Sequence, residues 1–517
     1  MSSIAEITRH WAEETPDKLA LVFEERSWTY AELDAASSRV GRALVDAGVR
    51  PGDRVAFLDK NVPEYFLLLL GGAKVGAVGV AVNWRLAPPE MEYILGNAEA
   101  KVLVIGEDFL GHLAKMSVPE LAKVVVIGDA ASSGHEMFAG WAGRFPATDP
   151  GYVGKPDETC YQLYTSGTTG LPKGVELTND NFFSMLPVAT SAWQFDQDSV
   201  SLVCMPLFHI AGSGWGLVAL YTGGTDILQR EVDPQEILRA IAEYRITNTL
   251  FVPAVLQFLL MTPGVDDIDY SSLRSIQYGA SPISEDVLVR SMKTFGTDLV
   301  QVYGLTETTG AVTLLPAADH DPGGARAGLL RSCGKPWEGC ELRIVDTATF
   351  EDVPEGEVGE IWARGRQIMK GYWRNPEATA QAKPADGWFR TGDAGYMRDG
   401  YVYIHDRVKD MVISGGENIY PAEIENVLMK HAEVADAAVI GVPSDRWGET
   451  VKAIVVRATG SEATEAALIA YCRENLAAYK CPTSVDWVEA LPRNPSGKIL
   501  KTELREPFWR GHERRVS

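Results

Sequence analysis

The sequence lacks the cysteine patterns that mark disulfide-bonded or zinc-binding proteins. Its six cysteines are scattered over 517 residues without a Cys-x-x-Cys pair, and no cluster of histidine and cysteine has zinc-ligand spacing. We therefore expect reduced thiols in the cytosol. The chain also lacks an excess of basic residues, since its net charge is −22. Nucleic acids and anionic membrane surfaces bind to basic faces, so this charge argues against both as non-specific partners.

Long uninterrupted apolar runs are absent as well. The most apolar stretch, residues 66–82, contains Lys74 and four glycines, so it predicts a buried helix followed by a buried strand rather than an integral membrane segment. Residues 1–20 lack the apolar core of a signal peptide and the last residues are not a peroxisomal Ser-Lys-Leu address, so we expect a cytoplasmic protein. No Gly-x-Ser-x-Gly motif occurs, which opposes a serine hydrolase.

What the sequence does contain is a segment of glycines, hydroxyl residues and one lysine at 164–175. The apolar and aromatic residues 159–164 before it predict a buried strand. Glycine allows backbone conformations in which several N–H groups converge on an anion, and hydroxyls and a lysine add donors and positive charge. The segment differs from a P-loop because Pro172 precedes the lysine and Gly174 follows it. We predict a phosphate site formed by Thr165, Ser166, Gly167, Thr168, Thr169, Gly170 and Lys173.

The remaining pattern predicts an α/β fold in a large N-terminal domain and a small C-terminal one. Helical and strand patterns alternate through about 1–150 and again through 151–330, which is typical of mostly parallel sheets covered by helices. Two such layers are expected to pack together with the site between them. Short strands with frequent Gly, Pro and Asp over 331–408 predict a small β-rich subdomain, and residues 409–517 predict a small α+β domain.

Polar turns follow three of the predicted strands, at the places where ligand clefts of α/β proteins lie. The turn residues are His209 after the first strand, Gly279, Ala280 and Ser281 after the second, and Tyr303, Gly304, Thr306 and Glu307 after the third. A glutamate beside a phosphate site would repel the substrate unless a cation lay between them. Glu307 therefore indicates a nearby Mg²⁺ or lysine.

Three further motifs lie in the last quarter of the chain. Asp393 stands within Trp-Phe-Arg-Thr-Gly-Asp-Ala-Gly. Arg407 and Lys409 lie near the start of the second motif, residues 406–421, which ends at Pro421. That segment contains Gly415, Gly416 and Glu417. Lys498 follows a Ser-Gly turn in Pro-Arg-Asn-Pro-Ser-Gly-Lys-Ile-Leu.

Together with the phosphate segment, these motifs resemble those of the adenylate-forming superfamily of acyl-CoA synthetases, luciferases and peptide-synthetase adenylation domains. The resemblance covers essentially the whole chain in the expected order and is greatest to bacterial fatty acyl-CoA synthetases. It implies a carboxylic acid as substrate and ATP, CoA and Mg²⁺ as cofactors. The carboxylate would attack the α-phosphorus of ATP to give acyl-AMP and pyrophosphate, and the CoA thiol would then displace AMP.

The resemblance also implies a role for each motif. The phosphate segment would hold the β- and γ-phosphates, the turn at Gly279, Ala280 and Ser281 would contact the nucleotide, and Tyr303 would stack on adenine beside Gly304. Thr306 would contact the α-phosphate and Glu307 would bind Mg²⁺.

The remaining implied roles concern the sugar, the acid and the second half-reaction. Asp393 and Arg407 would bind the ribose hydroxyls, and His209 would line the acyl pocket and shift between the half-reactions. Lys409 would be the hinge of a mobile C-terminal domain. Gly415, Gly416 and Glu417 would form part of the CoA channel, and Lys498 would reach the carboxylate and α-phosphate oxygens during adenylation.

Several alternatives stay open. Ligases of aryl acids and of steroid side-chain acids use almost the same motifs. A fatty acyl-AMP ligase that loads a carrier protein is close too, although it typically has an extra insertion that this sequence lacks. An amino-acid adenylation domain is opposed because no acidic residue for the α-amine follows His209. A homodimer also stays open.

Overall fold

The computed structural model describes residues 1–129, 134–165, 171–414, 417–444, 446–493 and 499–510. Some predicted site residues lie outside these ranges: Ser166, Gly167, Thr168, Thr169, Gly170, Gly415, Gly416 and Lys498. The side chain of Glu417 is also not described. The chain divides into two compact units, Met1–Glu341 with Ala363–Phe389, and Leu342–Trp362 with Arg390–Ser517.

Several helices of the described chain begin at a residue whose side chain caps the first turn. At the start of the second helix, Glu32 N donates to Thr29 Oγ1 at 3.2 Å and Thr29 N donates to Glu32 Oε2 at 2.9 Å, which together form a capping box. The helices are α1 (Ile4–Glu14), α2 (Tyr30–Asp46), α3 (Pro63–Ala73), α4 (Pro88–Ala98), α5 (Leu110–Leu113), α6 (Phe138–Gly143), α7 (Asn179–Ala192), α8 (Ile210–Thr222), α9 (Pro234–Glu243), α10 (Pro253–Met261), α11 (Glu285–Phe295), α12 (Pro376–Ala382), α13 (Pro421–Leu428), α14 (Glu465–Asn475) and α15 (Lys501–Trp509).

The strands of the described chain alternate with these helices in the first unit and dominate the second. They are β1 (Leu19–Phe23), β2 (Arg26–Thr29), β3 (Arg54–Leu58), β4 (Val78–Ala81), β5 (Ala100–Gly106), β6 (Lys123–Ile127), β7 (Glu136–Met137), β8 (Thr159–Thr165), β9 (Lys173–Thr178), β10 (Val200–Val203), β11 (Thr225–Leu228), β12 (Asn248–Phe251), β13 (Ser275–Gly279), β14 (Asp298–Tyr303), β15 (Thr313–Leu315), β16 (Lys335–Pro336), β17 (Glu341–Val345), β18 (Gly359–Arg364), β19 (Gly371–Tyr372), β20 (Phe389–Arg398), β21 (Tyr401–Arg407), β22 (Val412–Ser414), β23 (Glu417–Ile419), β24 (Val434–Ser444), β25 (Gly448–Arg457) and β26 (Ser484–Val488).

The first unit is a mixed α/β structure built on two mostly parallel sheets. In the described residues, one sheet has nine strands in the order β16-β15-β14-β13-β12-β10-β11-β1-β2, and the other has eight in the order β19-β9-β8-β4-β3-β5-β6-β7. The parallel strands bring their carboxyl ends to one edge of each sheet. The predicted α/β fold class is therefore confirmed, and the site candidates after β10, β13 and β14 share one sheet edge.

The two predicted layer ranges do not follow the sheets strand by strand. Strands β1 and β2 come from the first range but complete the nine-stranded sheet, whereas β8 and β9 come from the second range and complete the eight-stranded one. Helical and strand periodicity reports the elements but not their pairing partners. The order of strands in each sheet therefore has to come from the structure.

The apolar run at 66–82 forms the buried helix and strand that the sequence predicts, α3 and β4. Lys74, between them, is fully buried, and its Nζ lies 2.5 Å from Asp34 Oδ1 and 2.8 Å from Ser38 Oγ. Because this buried cation is paired and hydrogen-bonded, it stabilises the packing of α3 on α2. Within the described ranges, the helices are all too short or too polar to cross a bilayer.

The second unit is small and rich in strands. Its described part includes a sheet in the order β17-β18-β20-β21 and another in the order β23-β22-β25-β24, with β26 paired in parallel to β25. Apolar residues of α13, α14 and this second sheet form a common core that includes Ile424, Leu428, Val439, Val451 and Leu468.

Candidate active site

The described ends of the phosphate segment lie on two paired strands. Strands β8 and β9 are antiparallel, and Thr165 lies directly opposite Lys173. Below this pair, Gln162 Nε2 donates to Tyr164 Oη at 3.0 Å and Tyr164 Oη donates to Asn97 Oδ1 at 2.7 Å. The base of the hairpin is thus fixed by partly buried hydrogen bonds, and two described residues of the phosphate segment, Thr165 and Lys173, are held in register.

The second and third predicted turns are neighbours at the edge of the nine-stranded sheet. Strands β13 and β14 are parallel, with Gly279 opposite Val302, so Ala280 and Tyr303 follow at adjacent strand ends. A Cβ placed on Gly279 would lie 2.0 Å from Val302 O, and one on Gly304 would lie 2.4 Å from Gly310 O. Both glycines are therefore required for close backbone packing, and a larger residue at either position would displace the turn.

Glu307 is the buried carboxylate of this edge. Its residue is 9% exposed, and Tyr372 Oη donates to its Oε1 at 2.9 Å. The backbone of Glu307 is held as well, because Met369 N donates to Glu307 O at 2.7 Å. Thr309 Oγ1 donates to Gln367 O at 2.6 Å, which ties the end of the same turn to the segment that leads to Tyr372.

Tyr372 connects Glu307 with the phosphate hairpin, a connection that the sequence did not reveal. Strand β19 pairs antiparallel with β9, which places Tyr372 opposite Val175. The Nζ of Lys173 lies 5.1 Å from the centre of the Tyr372 ring. A cation and a buried carboxylate thus both lie against one tyrosine, next to the phosphate segment.

The donor set at Glu307 fits Mg²⁺ but no metal that needs several protein ligands. Within the described ranges, His, Cys, Asp and Glu side chains form no group of three or more that could hold a metal ion. Mg²⁺ is commonly bound through one or two carboxylates together with substrate phosphates and water. Glu307 has one oxygen occupied by Tyr372 and a second that could serve as such a ligand.

His209 caps α8 at the same sheet edge. Its Nε2 is buried and has no hydrogen-bond partner among the residues that the structure describes. Burial together with the charge of Arg85 lowers the pKa of the imidazole to about 4. The ring centre lies 4.6 Å from that of Phe208. His209 is therefore a neutral aromatic side chain at ordinary pH and not a cation.

In the second unit, the structure brings Asp393 and Arg407 together. The two residues face each other across antiparallel strands β20 and β21, and Arg407 Nε lies 2.8 Å from Asp393 Oδ1. Asp393 is 4% exposed, and its amide N donates to Thr391 Oγ1 at 3.1 Å. A fixed carboxylate with a guanidinium beside it suits two adjacent hydroxyls of a sugar.

Lys409 follows this pair in a short 3₁₀ turn. Burial lowers the pKa of its ammonium group, against the opposing charge of Asp410. Its predicted role as the hinge, like the predicted roles of Gly415, Gly416, Glu417 and Lys498, stays a prediction.

Comparison with known proteins gives a match over both parts of the chain. Residues 8–373 match the AMP-binding enzyme family and residues 423–498 match the AMP-binding enzyme C-terminal domain. The chain is 39% identical to fatty acid–[acyl-carrier-protein] ligase ScoC of Streptomyces coeruleorubidus, over 100% of this chain and 98% of that protein. It is 40% identical to feruloyl-CoA synthase of an Amycolatopsis species, over 93% and 94%. The ATP-bound structure of MatB from Rhodopseudomonas palustris superposes with a TM-score of 0.89 at 32% identity, covering 98% and 100%.

Proposed function

The chain belongs to the AMP-binding enzyme family and is an AMP-forming acid ligase, and we propose that it converts a medium- or long-chain fatty acid into its CoA thioester. Acyl-AMP would form first with release of pyrophosphate, and the CoA thiol would then displace AMP. The predicted cofactors, ATP, CoA and Mg²⁺, are those of AMP-binding acyl-CoA ligases.

The grouping of Lys173, Tyr372 and Glu307 carries the chemical part of the proposal. Joining a carboxylate to the α-phosphorus requires two anions to be brought together, so positioning and charge stabilisation are the main tasks. Lys173 would supply a cation to the phosphate oxygens, and Glu307 would hold Mg²⁺ beside them. When bound, Mg²⁺ would neutralise charge on the phosphate oxygens as a Lewis acid. Thr306, next to Glu307, would direct its hydroxyl to the α-phosphate.

Nucleotide binding is assigned to two places in the chain. Tyr303 and the turn at Gly279, Ala280 and Ser281 would bind adenine, because they end adjacent parallel strands. Asp393 and Arg407 would bind the ribose hydroxyls. Lys498 would contribute its charge during adenylation, as its motif implies.

A fatty acid is favoured by the apolar helix α8 that begins next to His209. Helix α8, which follows it, is buried over most of its length, and Trp215 on that helix packs 5.1 Å from Phe195 and 5.5 Å from Trp193, measured between ring centres. A neutral imidazole next to such a helix suits an uncharged acyl chain. ScoC, with which the chain aligns over its whole length, is also a fatty acid ligase by name.

One alternative acceptor and one alternative acid have specific support. The name of ScoC specifies an acyl carrier protein as acceptor, so a carrier-protein thiol is the second candidate for the second half-reaction. The likeness to feruloyl-CoA synthase favours an aryl acid as the alternative substrate, since a planar ring could pack against His209.

The decisive experiment is pyrophosphate release on a panel of acids, from acetate through palmitate to benzoate, ferulate and a bile acid. Each acid is tested alone, with CoA and with a phosphopantetheinylated acyl carrier protein, and the product mass is measured. The Glu307→Gln variant is the control that shows whether the pyrophosphate is released by this site. Acyl-CoA formation from a straight-chain acid supports the proposal. Acyl-AMP that only the carrier protein consumes, or turnover restricted to aryl acids, would replace it with the corresponding alternative.

A further inference from the structure

The segment that leads to His209, residues 204–209, is held by a side chain from the opposite sheet. Asn61 follows β3 and is 3% exposed. Its Nδ2 donates to Met205 O and to Gln229 O, both at 3.1 Å, and its Oδ1 accepts from Leu207 N at 3.0 Å. One asparagine side chain thus forms hydrogen bonds with two backbone carbonyls and one backbone N–H.

A second contact from the same sheet holds the other polar group of Leu207. Tyr161 Oη, on the strand that enters the phosphate segment, donates to Leu207 O at 3.2 Å. Both backbone groups of Leu207 are therefore fixed by side chains of the eight-stranded sheet. The 204–209 segment cannot shift without breaking bonds to that sheet.

The position of this segment determines where His209 and α8 begin. His209 N donates to Pro206 O at 3.0 Å, and a Cβ placed on Gly212 would lie 2.3 Å from that same oxygen. A Cβ placed on Gly310 would lie 3.4 Å from Ile210 Cγ1, so the start of α8 packs closely on the turn that carries Glu307. A displacement at residues 205–207 would therefore be transmitted to the His209 ring.

We propose that Asn61 is a positioning residue for the acid: by holding the 204–209 segment it sets the place of His209 relative to the strand ends at Gly279 and Tyr303. This inference rests on the proposed function, in which His209 lines the acyl pocket. Asn61 itself touches no substrate. Its replacement should weaken binding of the acid while leaving ATP binding, which depends on the phosphate hairpin, nearly unchanged.

Asn61→Asp is the matched test, because it keeps the size and the acceptor for Leu207 N but places a carboxylate oxygen against two carbonyl oxygens. We expect the KM for the acid to rise about tenfold, which corresponds to about 1.4 kcal/mol, and the KM for ATP to change less than about twofold. Serine is too short to reach both carbonyls, so Asn61→Ser serves as the second variant if the aspartate variant folds poorly. It should likewise raise the KM for the acid and not the KM for ATP.

The control is Asn179→Asp. Asn179 is also buried, at 4% exposure; its Nδ2 donates to Lys155 O at 3.0 Å and its Oδ1 accepts from Ile4 N at 3.3 Å, away from the 204–209 segment. This variant should lower Tm without raising the KM for the acid more than the KM for ATP. An equal rise of both KM values in the Asn61 variants, or no rise, would overturn the inference while leaving the proposed function intact. If none of the acids on the panel supports pyrophosphate release by the wild-type enzyme, both the inference and the proposed function are overturned.

Discussion

The hydroxyl of Tyr372 donates to Glu307 Oε1 at 2.9 Å, while the ring of the same tyrosine lies 5.1 Å from Lys173 Nζ. One side chain thereby fixes the orientation of the carboxylate and contacts the lysine of the phosphate hairpin. The hydrogen bond uses Oε1, so the other carboxylate oxygen of Glu307 is the one that would bind Mg²⁺ in the proposed function. In the proposed function, Tyr372 would thus be a positioning residue for the metal ligand.

Tyr372→Phe removes only the hydroxyl and keeps the ring beside Lys173. We expect the Mg²⁺ concentration for half-maximal pyrophosphate release to rise about tenfold or more, since a hydrogen bond to a charged group contributes about 1.5–3 kcal/mol. MgATP binding measured by calorimetry should weaken in parallel. Tyr30→Phe is the control, because Tyr30 Oη donates to Gly224 O at 2.7 Å in the core. Unchanged Mg²⁺ dependence in Tyr372→Phe would show that the hydroxyl does not orient Glu307.

Asp393→Asn should weaken ATP binding selectively. The substitution keeps the shape of the side chain but removes the charge that pairs with Arg407 and would accept from the ribose hydroxyls. We expect the KM for ATP to rise about tenfold or more, the loss expected for charge-assisted hydrogen bonds, with the KM for the acid unchanged. The control is Asp352→Asn, since Asp352 pairs with Arg343 at 2.6 Å on the surface, where such pairs contribute little. A rise in both KM values would argue against a ribose site.

Much of this site could be predicted because its residues stand where strands end. Gly279 and Tyr303 end strands that periodicity revealed and Glu307 follows one of them, and the structure places the two strand ends side by side. Tyr372 was not predicted because its partner, Glu307, lies 65 residues away along the chain and the contact requires β19 to pair with β9. Asn61 lies 146 residues before Leu207, yet it follows β3 in the same way that His209 follows β10. The strand-end rule could have found Asn61, whereas only tertiary pairing reveals Tyr372.

His209 should contribute to stability in a pH-dependent way. Its folded pKa of about 4 lies below the ordinary value of 6.5, so the fold favours the neutral ring. This contribution is complete above pH 6.5 and is lost as the pH falls towards 4. The wild-type Tm should therefore fall more than the Tm of His209→Phe between pH 6.5 and 4.5, and the two curves should run parallel above pH 7. A constant difference over the whole range would mean that His209 titrates normally.

Lys498→Ala should separate the two half-reactions, as the motif at 492–500 implies. Its positive charge is expected at the carboxylate and α-phosphate only during adenylation. Loss of one well-aimed donor of this kind typically lowers a rate by about 10² to 10³. Acyl-AMP formation, measured as pyrophosphate release, should fall by this factor, while thioester formation from supplied acyl-AMP should be largely retained. Equal loss in both assays would contradict the assigned role.

Arg505→Met should destabilise the second unit, because it removes the partner of a buried carboxylate. Arg505 Nη1 lies 2.8 Å from Asp410 Oδ1, and the residues are 7% and 6% exposed. Burial alone would raise the pKa of Asp410, but the charges of Lys501, Arg505 and Lys409 hold it below its usual value. Breaking such a buried pair costs about 3–5 kcal/mol, an amount that the remaining cations, Lys501 and Lys409, should reduce.

The exposed pair of Arg510 and Glu506, 3.5 Å apart, provides the matched control. Arg510→Met should change the free energy of unfolding by less than about 1 kcal/mol, since both side chains are in water. Asp410 has a depressed pKa, so the contribution of its pairing is present above its ordinary value of 3.8 and is lost as the pH falls below it. The difference in unfolding free energy between wild type and Arg505→Met should therefore be large at pH 7 and shrink below pH 4. A loss that does not depend on pH would assign the role of Arg505 to packing of α15 rather than to its charge.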